Sequence, residues 1–398
     1  MRLPRRPWSR ALLVAVAVAA VCGLDFFVLR PLLESGRLDR SAVLVNVVVS
    51  AAALPGMVVA RQVCRGTRPY SESYLRRYFA VVTLVSAAGY GLLALALLHA
   101  RTRRRQSGPA GGRRAFLRRA AGLSAAGGLG LLGGYTLLLE PRWPRLLRIR
   151  LPLADLPAAL AGLRLIHLTD LHLGRYNSAA YVSGVVDRCN DLRPDLVLLT
   201  GDYVHGSPRF ILRVAAILGR LRPRLGILGV LGNHDHWEGF VPSRRELTRC
   251  RVRLIDNDRV WVSRAGLAGR ARPGALCVAG VGDLWEDRVD LDAALQGVDP
   301  GTPRLLLSHN PDFAETATAR QSPHRVDLML SGHTHGGQVR LPGGGSLVSP
   351  SRHGSKYDQG FVQGPRFRVF VSTGIGTTIL PVRFLVRPQI VLFELARR

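Results

Sequence analysis

Gly232-Asn233-His234-Asp235 decides how the rest of this 398-residue chain is read. An apolar run at 226–231 ends there in a glycine, an amide and an imidazole. The pattern recurs: short apolar runs lead into Asp170-Leu171-His172, Gly201-Asp202, Ser308-His309 and Gly332-His333-Thr334-His335. Runs at 163–168, 196–199, 276–281, 305–307 and 328–330 have the length of buried strands, not helices. Between them, 179–192 and 209–221 read as helices. Strand-helix-strand alternation points to an α/β fold. Open α/β sheets gather ligands beyond the carboxyl ends of their strands, and the polar residues fall there.

Asp170, His172, Asp202, Asn233, His309, His333 and His335 offer carboxylate, amide and imidazole donors and no thiolate. That set suits borderline divalent ions (Mn, Fe, Co, Ni or Zn) better than a structural zinc site. Seven donors are too many for one ion. Two ions about 3.5–4 Å apart, sharing one carboxylate, use them all and form the clamp that activates water for displacement at phosphorus.

Five such blocks in this order resemble the calcineurin-like metallophosphoesterase superfamily over residues 163–395. The resemblance implies a sandwich of two β-sheets flanked by helices, with a metal site at its edge. It implies that Asp170, His172 and His335 hold one ion, that Asn233, His309 and His333 hold the other, and that Asp202 bridges them. His234 is then the general acid at the leaving oxygen or a transition-state stabiliser. Finer blocks resemble the bacterial, membrane-associated or exported phosphodiesterases, some similar to enzymes that cleave the pyrophosphate of UDP-diacylglucosamine. They are His333-Thr334-His335-Gly336-Gly337-Gln338 with Arg340-Leu341-Pro342, the 357–360 segment, Gly374-Ile375-Gly376 and Leu380-Pro381-Val382-Arg383. One place departs from the family. Many members follow the Gly-Asp block with Asp-Arg, orienting the imidazole and gripping phosphate, whereas this chain has His205 and Gly206. The bidentate clamp is missing at that point, which argues against phosphoprotein substrates; Asp235 and His205 are the candidates to orient His234.

The net charge of +28 is concentrated at one end, where residues 1–150 carry 24 Arg and Lys against 5 Asp and Glu. Clustered cations first suggest nucleic acid, but here they flank apolar stretches, so no nucleic-acid partner is expected. The stretches 11–29, 42–60, 79–98 and 120–139 each approach the roughly 20 residues a spanning helix needs. The expected architecture is therefore an α-helical membrane region of about four spans (1–140), a basic connector (141–160) and the α/β metallophosphoesterase domain (161–398). Eight Arg in 101–119 mark the loop expected in the cytoplasm. Within it, Arg113-Arg114-Ala115-Phe116-Leu117-Arg118 resembles a twin-arginine export signal. A multi-pass membrane protein follows, with an extracytoplasmic catalytic domain and an anionic lipid surface as partner beside Trp143, Arg148 and Arg150.

The five cysteines form no CxxC pair, so neither a disulfide framework nor a thiolate zinc site is indicated. His205, His236, His324 and His353 read as ordinary polar side chains, Asp283 as a loop or capping carboxylate, and Trp237 and Trp285 as core. The expected function is a membrane-anchored, two-metal phosphohydrolase acting on phosphodiester or pyrophosphate bonds of a lipid-linked or envelope substrate. The alternatives are a phosphomonoesterase of the same superfamily and a non-catalytic metal-binding membrane sensor.

Overall fold

The apolar runs fold as strands that are apolar without interruption because both of their faces are covered. The computed structural model describes residues 131–398, of which Gly133–Arg398 forms one compact unit. One sheet orders β1 (Arg145–Leu153), β13 (Gln389–Arg397), β2 (Arg164–Leu168), β3 (Leu196–Thr200), β4 (Gly226–Val230) and β5 (Val252–Leu254). The other orders β11 (Gly360–Gln363), β12 (Arg368–Val371), β10 (Leu328–Ser331), β9 (Arg304–Leu307), β8 (Leu276–Gly280), β6 (Asp258–Ser263) and β7 (Gly266–Ala268). Both sheets have parallel centres, β2 to β5 in one and β8, β9, β10 and β12 in the other.

Alternation along β3 shows how the layers form. Leu196 and Leu198 face a core shared with Leu276, Val278, Leu305, Leu307, Leu328 and Leu330 of the second sheet. Val197 and Leu199 face outward onto α1 (Ala179–Asp191) and α2 (Ile211–Leu218), through Val182, Val186, Val214 and Leu218. On the far side, Cys277, Leu306 and Met329 pack against α4 (Leu291–Leu295). The result is a two-sheet sandwich with helices on its outer faces. Cys189, Cys250 and Cys277 are free thiols.

The helix α3 (Asn233–Arg249) was not legible in the sequence. Its pattern is interrupted by Gly239, at φ 140°, and by Pro242 inside the helix. Within the expected connector, β1 pairs in parallel with β13, Arg145 opposite Gln389 through Leu153 opposite Arg397. Arg148 and Arg150 lie on its exposed positions, where charge protects a sheet edge from further pairing.

The membrane expectation is corrected here. The stretches 11–29, 42–60 and 79–98, the Arg113-Arg114 block and most of 120–139 lie outside the described residues. Among the described residues no helix is long and apolar enough to cross a membrane. The end of the fourth expected span breaks into a π turn, Tyr135–Leu139, and a 3-10 turn, Glu140–Arg142. The cause is local: Pro141 interrupts the helix and Glu140 is buried against the domain. Among the described residues no helix supports multi-pass anchoring or a lipid-surface partner, and those expectations are withdrawn together with the extracytoplasmic domain and lipid-linked substrate that rested on them.

Candidate metal centre

The parallel strands of both sheets deliver their carboxyl ends to one edge of the sandwich. Asp170 and His172 follow β2, Asp202 follows β3, Asn233 and His234 open α3 after β4, His309 follows β9, and His333 and His335 follow β10. Five of these backbones turn through the left-handed region: φ is 53° at Asp170, 44° at His172, 55° at Asp202, 69° at His333 and 52° at His335. Non-glycine residues held there cost of order 1–3 kcal/mol each and cluster at functional sites. Close nesting of the loops also matters. A Cβ on Gly332 would lie 2.1 Å from both Asp170 Oδ2 and Thr169 Oγ1. Gly332→Ala is therefore expected to cost about 1–3 kcal/mol as overpacking and to displace Asp170. Thermal melts with and without Mn²⁺ check this: both the Tm and the Tm gain from metal should fall.

The side chains converge in two buried groups, Asp170-His172-His335 and Asp202-His309-His333, in each of which one donor atom per residue lies within 4.8 Å of the others. In the first, Asp170 Oδ1 is 3.3 Å from His335 Nε2, and His335 Nε2 is 3.0 Å from His172 Nε2. In the second, His309 Nε2 is 3.2 Å from Asp202 Oδ2 and 3.2 Å from His333 Nδ1. Asp202 Oδ2 is also 3.4 Å from His172 Nε2, so one carboxylate oxygen faces both groups.

Backbone carbonyls set two of the imidazoles. His309 Nδ1 donates to Thr200 O at 2.7 Å and His335 Nδ1 to Gly376 O at 3.3 Å, turning each Nε2 inward. Burial drives His333 and His335 down to about 3, which keeps their nitrogens as lone-pair donors. Burial also opposes charge on His309, but Asp202 outweighs it and lifts the imidazole to about 10. Asp202 is held well below the usual carboxylate range in spite of its burial, by His309 first and then His234. Among the seven expected donors, three buried polar atoms lack a hydrogen-bond partner: His172 Nδ1, Asn233 Oδ1 and His333 Nε2. Orphaned donors, imidazole nitrogens facing one another and an oxygen/nitrogen ligand set fit a pair of divalent cations.

Residues 163–337 match the family model described as calcineurin-like phosphoesterase. An uncharacterized metallophosphoesterase of Bacillus subtilis, YkuE, is 31% identical over 288 residues, spanning 71% of this chain and 97% of that protein. The chain belongs to the calcineurin-like metallophosphoesterases. A phosphodiesterase of Escherichia coli, YaeI, is 29% identical and spans 66% of this chain and 92% of its own length. A transmembrane protein with metallophosphoesterase domain from Danio rerio is 33% identical over 52% of this chain and 48% of that one. With its paired His/Asp groups, this metallophosphoesterase is a metal-dependent hydrolase with a dinuclear divalent-metal centre.

His234 stands beside the two groups, its ring 4.7 Å from that of His172. Its Nδ1 is 3.1 Å from His205 Nδ1. The sequence offered no reason to prefer His205 over Asp235; the loop after β3 decides it by carrying His205 onto α3. Asp235 does other work, accepting the N–H groups of Asp202 (2.8 Å), Gly232 (3.0 Å) and Tyr203 (2.9 Å) and so fastening the loop after β3 to the start of α3. Asp283 caps a turn through the N–H groups of Trp285 and Glu286, and burial lifts its other, unpartnered oxygen's group to about 7. Trp237 and Trp285, expected as core, are half-buried and lie edge-on to His234 at 4.5 Å and His333 at 4.4 Å. His324 is an ordinary polar side chain, bonded to Asp292 at 2.8 Å.

Proposed function

We propose that the chain hydrolyses phosphodiesters, with Asp170, His172 and His335 holding one ion, Asn233, His309 and His333 the other, and Asp202 shared between them. The observation that carries the reading is Asp202 Oδ2 lying 3.4 Å from His172 Nε2 and 3.2 Å from His309 Nε2. When bound, two divalent ions supply Lewis-acid activation of water and neutralise charge at the phosphoryl group. The protein's own part is orientation. Thr200 O and Gly376 O fix His309 and His335, and Asp202 Oδ1 accepts the His234 N–H at 2.8 Å, anchoring the start of α3. His234 is the catalytic residue at the leaving oxygen. With His205 Nδ1–H donating to His234 Nδ1, neutral His234 carries its N–H on Nε2, where it donates a hydrogen bond to that oxygen.

Preference for diesters follows from what stands beside the Gly-Asp block. Gly206 offers no guanidinium to grip the second charge of a monoester. The name of the E. coli relative as a phosphodiesterase and the likeness of the 333–342 and 374–383 blocks to bacterial phosphodiesterases support the same reading. The test is the ratio of bis(4-nitrophenyl) phosphate to 4-nitrophenyl phosphate hydrolysis with Mn²⁺. A ratio above one supports diester cleavage, and a ratio well below one makes the chain a monoesterase. Chelation is expected to abolish turnover and Mn²⁺ to restore it. Because the ions bind only the folded chain, metal at 100 times Kd adds about 2.7 kcal/mol of stability per site, which a melt with and without chelator reads directly.

A further inference from the structure

Arg383 is fully buried, and its guanidinium donates to backbone carbonyls: Thr373 O (2.8 Å), Gly374 O (3.4 Å), Gly376 O and Val386 O (3.2 Å). A buried cation is costly unless the groups around it are well satisfied, and its removal leaves those groups unpaired. The turn it holds presses on the metal centre. Ile375 N–H donates to Thr169 O and Gly376 N–H to Asp170 O, while Gly376 O accepts from His335 Nδ1. A Cβ on Gly374 would lie 2.6 Å from Asp170 Cβ.

The turn carrying Arg383 is itself held by the segment ahead of β1. Glu140, 1% exposed, accepts the Val386 N–H at 2.7 Å and the Leu385 N–H at 3.1 Å. Arg383 N–H donates to Thr136 O, and the Arg387 guanidinium lies 4.0 Å over the Trp143 ring. A continuous set of contacts thus runs from 136–143 through 383–387 and 373–376 to Asp170 and His335. The path to His309 is longer: Thr169 Oγ1 donates to Thr200 O at 3.2 Å, and that carbonyl also takes His309 Nδ1.

We propose that Glu140 and Arg383 are positioning residues for one ion of the pair, the one at Asp170, His172 and His335, an inference that rests on the ion assignment made above. Glu140 fixes the 383–387 turn, and Arg383 fixes the turn that aims the Asp170 and His335 donors. Loss of such outer partners typically weakens metal binding about 10- to 100-fold.

The experiment is calorimetric titration of Mn²⁺ into the chelator-stripped full-length chain, for the wild type, His335→Ala, Glu140→Ala and Arg383→Lys. The wild type should bind two ions and His335→Ala one. Glu140→Ala and Arg383→Lys should weaken one ion about 10-fold and leave the other within about twofold, since their contacts lead straight to Asp170 and His335 and to the other donors only through intervening residues. If the wild type binds no pair, or His335→Ala keeps both, the ion assignment fails. If His335→Ala loses one ion while Glu140→Ala and Arg383→Lys change neither, or weaken both alike, the positioning role is overturned. Should the variants not fold, amide exchange on the wild type decides, because coupling is reciprocal. Mn²⁺ should slow exchange of the Leu385 and Val386 amides, and unchanged exchange there overturns the proposal.

Discussion

Asp202→Asn is expected to lower kcat/KM for bis(4-nitrophenyl) phosphate by about 10³-fold, a loss of about 4 kcal/mol of transition-state stabilisation. The size follows from the position of one oxygen. Asp202 Oδ2 faces both groups of donors, and its negative charge is what raises His309 to about 10 against the effect of burial. An amide keeps the shape but not the charge, and it places an NH₂ or a weaker acceptor between two cations. Both ions then lose affinity, and at least one should be absent at micromolar Mn²⁺. The backbone is expected to survive, because the Asp202 N–H is fastened by Asp235 and not by its own side chain. Turnover and metal content measured on the same sample check this. A variant that holds two ions and keeps more than about a tenth of wild-type turnover removes the bridging role.

His234→Ala is expected to act differently, lowering kcat about 10²- to 10³-fold while both ions stay bound. His234 lies beside the two groups of donors, its Nδ1 engaged by His205 and its ring against Trp237. A residue that serves the leaving oxygen matters most when the leaving group is a poor one. The loss should be large for an alkyl leaving group and small for 4-nitrophenolate, which departs without a proton. His205→Ala should show the same leaving-group dependence in weaker form, and His205→Asp, the residue the family places there, should restore part of it. An equal loss for both leaving groups would mean that His234 shapes the site and does not serve the leaving oxygen.

The legible part of this protein was its centre. Strands such as β3, β8 and β9 are buried on both faces, so they appear as unbroken apolar runs, and each polar residue ending such a run proved to be at the shared edge. That rule, together with a family resemblance that supplied their pairing, pointed to the seven expected donors, and six of them stand in the two groups of potential ligands. What stayed hidden depends on contacts between distant parts of the chain. Parallel pairing of β1 with β13 joins Arg145 to Gln389, and no local pattern announces it. Glu140 looked like the end of an apolar stretch because its partners, Leu385 and Val386, lie 245 and 246 residues away. His205 could not be told from Asp235 as the neighbour of His234 for the same reason, its partner being on α3. Of the membrane reading only 131–139 falls within the described residues, where a π turn, Tyr135–Leu139, runs into the buried Glu140, and no helix there is long and apolar enough to cross a membrane.

The most direct measurement is the number of Mn²⁺ ions per chain, by mass spectrometry after dialysis against a fixed free-metal concentration, for the wild type, His335→Ala and His309→Ala. Two ions in the wild type and one in each variant are predicted, because the variants empty different groups of donors. One ion or none in the wild type, or two ions retained in both variants, would contradict a dinuclear centre built from these residues.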